Sequence, residues 1–490
     1  GHLALAPTTI VDPLTTLGAF SGFLDGTSLR GTLDSRFDFE TGSNRGLEGD
    51  LRFGIADGSI DLPDPLTKIT GLAGRGSVKL PSADDTPVSW EAEGTLRSLM
   101  MDSSAALGFP LTHTGEFLES PATFALSGTT GEKPTTTGKI THLSLAGEQH
   151  GESVTFQESS LQFLHSDDTL TAEGRTTFGG NEIPFTYRRN NKELPDGKST
   201  VTSEVHIPTI RLGTPLTNLG AFSKAAAGLS LSGQVGARVT FQSGPDDALP
   251  TTLDFSLADG TLTLPDDGPT LSGITVHFLT PDVKTLHTDQ AEPFYIADLT
   301  YGDLSFTKIT GHYQIRPDRG LTVSRFQSSF LDGRLNVDPF TYPDDDQADF
   351  RMNLRFVGID LRTLTRLFPS FDGRLEGTID GDLPIVRKKG TYLPERGGIQ
   401  LSKQGAARLR YNADSLFTDG LKPGSGEYKR MKIAEDSLKD MRIPILTGRL
   451  FDPAEPGKAA VIRIEGQSSN IADAPPIHLN FNFFEPKGEF

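Results

Sequence analysis

Phe53-Gly-Ile-Ala-Asp-Gly-Ser-Ile-Asp-Leu-Pro63 returns as Phe255-Ser-Leu-Ala-Asp-Gly-Thr-Leu-Thr-Leu-Pro265, an offset of 202 residues. Pro13-Leu-Thr-Thr-Leu-Gly-Ala-Phe-Ser21 returns as Pro215-Leu-Thr-Asn-Leu-Gly-Ala-Phe-Ser223 at the same offset, and Gly71 maps onto Gly273. Within each copy the apolar residues alternate, as they do in a strand with one buried face. Leu33, Phe37 and Phe39 share a face, as do Leu51, Phe53 and Ile55. The second copy repeats this with Val239 and Phe241, then Leu253, Phe255 and Leu257, then Leu262. Asp57-Gly58 and Asp259-Gly260 interrupt the alternation and read as hairpin turns, because both turn positions favour positive φ. A gapless repeat built of strands predicts a stack in which each unit contacts its neighbours, an architecture that works as a surface or a channel.

Composition agrees. Hydrophobic residues make up 35% of the 490, below the globular norm of about 45–50%. The 31 Phe nevertheless exclude a disordered chain. With 53 Gly and 32 Pro, the chain reads as mostly β with many tight turns. At roughly 12–16 residues per strand and turn, it holds about 30–40 strands. The net charge of −18, without a basic stripe, disfavours nucleic acid, whose binding rests on neutralising phosphates. The lack of Cys removes disulfides and thiolate sites. No apolar run approaches the roughly 20 residues of a membrane span. The chain does not start with Met, and Gly1-His2 reads as a cloning scar, so an N-terminal anchor is expected outside it.

Later strands alternate more cleanly. Phe350, Met352, Leu354 and Phe356 oppose Arg351, Asn353 and Arg355, while Ile477, Leu479, Phe481 and Phe483 oppose His478, Asn480 and Asn482. Four short helices are expected: Asp12 to about Phe20 with Pro13 at its first turn, Thr214 to about Ala227, Asp360 to Phe368, and Lys429 to about Met441. Their Leu and Phe would cap or plug the sheet. Acidic, Pro-rich loops are expected over 81–87, 244–250 and 343–347, and a further loop over 421–428. The division is into a first β-repeat (1–202), a second (203–372) and a terminal module (373–490).

Chemistry is scarce. The ten histidines show no pair at metal-site spacing, and no Gly-x-Ser-x-Gly elbow occurs. Gly128 to Pro134 is not a phosphate loop and Gly71 to Gly76 is not a dinucleotide fingerprint; both read as turns. The aspartate pairs lack calcium-loop spacing and read as solvated turn acids. The expectation is no catalytic residue, no metal and no cofactor. What remains is the apolar face. Either two faces meet in a sealed sandwich core, the commoner solution for strand-rich repeats, or a bent sheet leaves an open trough for acyl chains. An extracellular structural or adhesive protein with a dry core and a carbohydrate-active solenoid are the competing functions.

Ser329-Phe-Leu-Asp-Gly-Arg-Leu-Asn-Val337 resembles a recurrent strand motif of AsmA-like proteins. Gly373-Arg-Leu-Glu-Gly-Thr-Ile379 to Leu383-Pro-Ile385, Gly398-Ile-Gln400 to Ala407-Arg-Leu-Arg-Tyr411, and Ala460 to Gly466 followed by Pro476 to Asn482 resemble successive segments of the YdbH-type branch, also labelled a dicarboxylate transport family. The resemblance is clearest over 320–490, with Gln467-Ser-Ser-Asn470 where the family pattern has Asn-Pro. It implies a periplasmic, bridge-like lipid transfer protein: a long twisted antiparallel sheet curved into a hydrophobic groove. It also implies an inner-membrane anchor preceding this chain, phospholipid acyl chains as cargo, and a small outer-membrane lipoprotein adding a strand at the C-terminal edge. The groove lining would be the apolar residues named above from Leu33 to Phe356; the partner edge would be Ile477, Leu479, Phe481 and Phe483.

Overall fold

A computed structural model describes residues 1–15, 26–41, 47–62, 67–81, 86–101, 111–114, 121–131, 133–193, 199–221, 226–243, 251–265, 268–283, 285–318, 320–343, 348–367, 371–388, 390–403, 406–471 and 474–484. Among these lie thirty strands, two α-helices and one 3-10 turn. The chain forms two compact units, 1–267 and 268–490.

In the first unit thirteen long strands follow one another as a simple antiparallel meander, from His2–Leu14 to Thr252–Thr263. Two short strands, Ser98–Met101 and Leu111–Thr114, extend one margin. Each long strand hydrogen-bonds to the next long strand, so the alternation of each is kept in phase with the next.

The repeat survives in the backbone, but not as hairpins. Asp57-Gly58 lies inside the single strand Leu47–Leu62, and Asp259-Gly260 inside Thr252–Thr263. Both are β-bulges. Asp57 and Asp259 take φ of 51° and 48°, and the register slips at Arg30/Thr32 and Ser232/Gln234. The extra residue is absorbed because glycines face each other across the ladder. A Cβ on Gly31 would lie 2.8 Å from the Gly58 Cα, and one on Gly233 would lie 2.7 Å from the Gly260 Cα. An isolated Asp-Gly signal cannot separate a turn from a bulge; the partner glycine 27 residues earlier decides it. Gly71 to Gly76 likewise sits within the strand Thr67–Leu80, not in a turn.

Among the described residues helices are fewer than expected. Asp12 to Leu14 completes the first strand, so Asp12-Pro13 does not start a helix; 16–25 lie outside the described residues. Leu219–Ala221 is a 3-10 turn, with 222–225 outside the described residues. Leu216 and Ala221 nevertheless plug the sheet, packing with Val154, Phe178 and Leu212 in a sealed cluster. In the second unit Asp360 caps a five-residue helix, Leu361–Thr365, accepting from the Thr363 N–H at 2.9 Å. Ser425 caps Gly426–Leu438, three residues earlier than the sequence suggests, and Met441 already belongs to a strand.

The second unit runs antiparallel through Thr270–Thr280, Glu292–Tyr301, Leu304–Ile315, Leu321–Phe330, Gly333–Val337, Phe350–Asp360, Thr378–Lys388, Gly397–Leu401, Met441–Leu450, Lys458–Ser468 and Ile477–Phe484. It holds the most deeply sealed core, with Met441 and Ile443 at 0% exposure among Ile359, Leu361, Leu409 and Leu438.

A buried acid clamps the long helix. Glu435 has no exposed side-chain surface. It accepts from the Phe417 N–H at 2.9 Å, the Thr418 N–H at 2.9 Å and the Thr418 hydroxyl at 2.8 Å, with Lys432 Nζ at 3.3 Å. Burial pushes its carboxyl up, but these donors outweigh burial and hold it at about 2. Because the folded value lies below the unfolded 4.5, the clamp stabilises fully above that value and is lost as pH falls from 4.5 towards 2. Glu435→Gln should therefore flatten the acid limb of the unfolding midpoint measured between about pH 6 and about pH 2.5. An unchanged acid limb would mean that other carboxylates govern it.

Candidate functional site

The strand registers join the apolar residues into rows. One row crosses all thirteen long strands of the first unit without a break. It runs Leu5, Ser35, Phe53, Gly76, Ala92, Leu126, Gly138, Phe163, Ala172, Tyr187, Val205, Val239, Leu253. With about 4.8 Å between strands, it extends roughly 58 Å. A second row lies beside it: Leu33, Ile55, Gly74, Gly94, Phe124, Ile140, Leu161, Gly174, Phe185. The third begins Leu3, Phe37, Leu51, Val78, Trp90, Gly128, then continues Thr136, His165, Leu170 and Arg189 before reaching Ser203 and Phe241. Burial first, then Arg189, lowers the His165 pKa, which keeps that imidazole neutral at pH 7.

The opposite face carries charge. Asp34, Gly54, Arg75, Glu93, Ala125, Lys139, Gln162, Glu173, Thr186, His206, Arg238 and Asp254 form a continuous row there. A concavity of about 1440 Å³ takes its charged lining from this face, including Arg36, Arg52, Arg75, Lys139 and Arg188, and also reaches Phe53, Leu126, Phe163 and Ala172 of the first row. Charged side chains therefore border it beside a strip of the apolar row.

The apolar rows are neither sealed nor fully exposed. Phe37, Phe53, Phe124, Phe163, Phe185 and Phe255 are all half-buried. The sealed residues of this unit instead form local clusters around Leu72, Leu96 and Ala122 and around Val154 and Phe178. A feature that the sequence hides is the pairing of large with absent side chains. Phe53 stands directly opposite Gly76, Trp90 opposite Gly128, Phe124 opposite Gly94, Phe163 opposite Gly138 and Phe185 opposite Gly174; Phe294 faces Gly311 in the second unit.

The structure brings most of the sequence-chosen residues of the first unit together. Leu33 and Ile55 fall in one row, Phe53, Val239 and Leu253 in another, Phe37, Leu51 and Phe241 in the third. Phe39 stacks on Phe37, with ring centroids 5.2 Å apart. Phe255 shares the face of Leu253, opposite Ala237. Leu257 is buried beneath the Gly260 bulge, and Leu262 pairs with Leu231 beyond it.

In the second unit Phe356 belongs to a row Ser328, Leu335, Phe356, Gly381, Ile399, Gly448, Ile462, Phe481. Leu354 pairs with Leu383 and Met352 with Ile385. Phe350 pairs with Arg387, a buried cation that sequence reading missed. The Arg387 guanidinium lies 4.6 Å from the Tyr342 ring centre and 5.1 Å from that of Phe350. It donates to the Ala348 carbonyl at 3.0 and 2.8 Å and to the Tyr342 hydroxyl at 2.6 Å. The signal was available: Arg387 has the strand parity of Leu383 and Ile385. Ile477 and Leu479 pack against the sealed core, whereas Phe481 is exposed; the side chain of Phe483 lies outside the described residues. Among the described residues the strand Ile477–Phe484 pairs on one side only, with Lys458–Ser468.

Residues 189–486 match the family described as YdbH-like, Intermembrane phospholipid transport protein YdbH. The chain belongs to the YdbH-like family. The match covers more than half the chain and begins well upstream of the segment whose motifs resemble it, inside the strand Asn181–Glu193. No curated protein matches the chain. Membership makes this YdbH-like chain an intermembrane phospholipid transport protein, with lipid as what it handles and the cell envelope as its setting. Among the described residues no helix is long and apolar enough to cross a membrane.

Proposed function

We propose that the apolar rows are the floor of an open trough along which phospholipid acyl chains move through the periplasm between the two membranes. The observation that carries this reading is the row from Leu5 to Leu253, continuous over thirteen strands and half-buried at its aromatic members. A sealed sandwich would bury those rings fully; half-burial supports a surface that waits for a ligand. An acyl chain spans half of a ~30 Å bilayer core, so a row of roughly 58 Å takes several chains in series. Each CH₂ kept from water saves about 0.8 kcal/mol, so a continuous floor removes most of the barrier that an acyl chain would meet in solvent. Headgroups remain in water at the open side, and the charged opposite face keeps the sheet soluble. No step needs a catalytic group, a metal or a cofactor.

The finer assignments follow from the same reading. An inner-membrane anchor precedes this chain in the whole protein. The edge of Ile477–Phe484 takes a strand from a small outer-membrane lipoprotein, with Phe481 exposed beside it. The three modules 1–202, 203–372 and 373–490 are two groove repeats and a terminal piece. The direct test is native mass spectrometry of the chain purified from bacteria. Copurified phospholipid is expected; consistently lipid-free protein would sink the conduit. Transfer of labelled phospholipid between vesicles should also rise with added protein.

A further inference from the structure

We infer that the glycines opposite aromatic residues set the depth of the trough, by letting each ring lie down across the neighbouring strand. The inference rests on the conduit reading and names residues that govern whether a chain fits. A Cβ would stand about 1.5 Å from its Cα. At Gly138 that position overlaps the van der Waals surface of the Phe163 ring edge, and at Gly76 that of Phe53. At Gly311 it would lie 2.7 Å from two atoms of the Phe294 ring. The far ends of these rings therefore rest on the backbone of the facing strand. A ring standing upright would put its tip well above the sheet and far from that point.

The consequence is geometric. Two facing layers of upright side chains fill the ~10 Å between packed sheets, about 5 Å each. A ring lying flat takes only about 3.5–4 Å of van der Waals thickness. Lying rings thus give the floor aromatic area while keeping it low. Aromatic cover of a strand glycine also stabilises a sheet by itself, so the two roles must be separated by experiment.

Gly138 is the site to test, because the nearest atoms to a Cβ there belong to side chains, Phe163 and Leu126, both able to move. Gly138→Ala in the full 490-residue chain forces the Phe163 ring off the backbone and up into the trough. Phospholipid per protein, counted by native mass spectrometry, should fall by roughly fivefold or more, the lower end of what overpacking costs. Adding Phe163→Leu, which removes the ring, should restore the load. A purely structural glycine predicts that load falls only together with the thermal unfolding midpoint, so the midpoint is measured beside the load; lower load at an unchanged midpoint is the expected result.

A Gly138→Ala protein with wild-type load, or a double variant that stays empty, overturns the inference while leaving the conduit intact. A wild-type chain without lipid overturns both. If Gly138→Ala loses its β-sheet circular dichroism, Gly311→Ala with and without Phe294→Leu decides by the same criteria.

Discussion

Phe255→Asp should abolish lipid loading and leave the β-sheet circular dichroism nearly unchanged. Phe255 is half-buried on the apolar face, opposite Ala237 and two residues from Leu253 in the continuous row. Fully burying a Phe contributes about 1.5–3 kcal/mol, so losing a half-buried one costs roughly 1 kcal/mol. That is small against the 5–15 kcal/mol that keeps a typical domain folded. For an acyl chain the change is larger, because a carboxylate keeps its hydration and breaks the dry path where the chain must pass. Native mass spectrometry should find no bound phospholipid, and vesicle-to-vesicle transfer should fall to the level without protein. If the chain unfolds instead, the face is a sealed core and the conduit is wrong.

Ile443→Asp should do the opposite and unfold the second unit. Ile443 has no exposed surface and packs with Met441, Leu409 and Leu438. Removing such a side chain costs about 2–5 kcal/mol, and stranding a carboxylate in its place adds several more. The expected result is loss of the cooperative unfolding transition of residues 268–490 and protease sensitivity there. A folded Ile443→Asp protein would mean that this cluster is looser than its packing implies. The two substitutions put the same charge on two apolar surfaces, and the contrast between them separates floor from core.

Much of this was legible from alternation. A period of two places every second residue on one face, so Leu33, Phe37, Leu51, Phe53 and Phe255 could be assigned to the apolar side from the chain alone. The repeat at offset 202 likewise reappears as equivalent bulges at Gly58 and Gly260. What stayed hidden were the small members of the rows. Gly76 and Gly138 carry no hydrophobic signal, yet they belong to the first row, and the Phe53 and Phe163 rings lie close over them. Glu435 and Arg387 were hidden for another reason. A buried charge is tolerated only where distant groups supply hydrogen bonds, here Phe417 and Thr418 for the one and Ala348 and Tyr342 for the other.

The sequence by itself determined that the chain is a series of alternating strands with one apolar and one polar face, because side-chain direction in a strand is a local property of the backbone. Only the tertiary structure decided which residues meet across strands. Register depends on bulges and on glycines facing each other from separate strands, and those are long-range coincidences that no single segment contains. The rows, the aromatic–glycine pairs and the distinction between half-buried rows and sealed clusters all follow from that register.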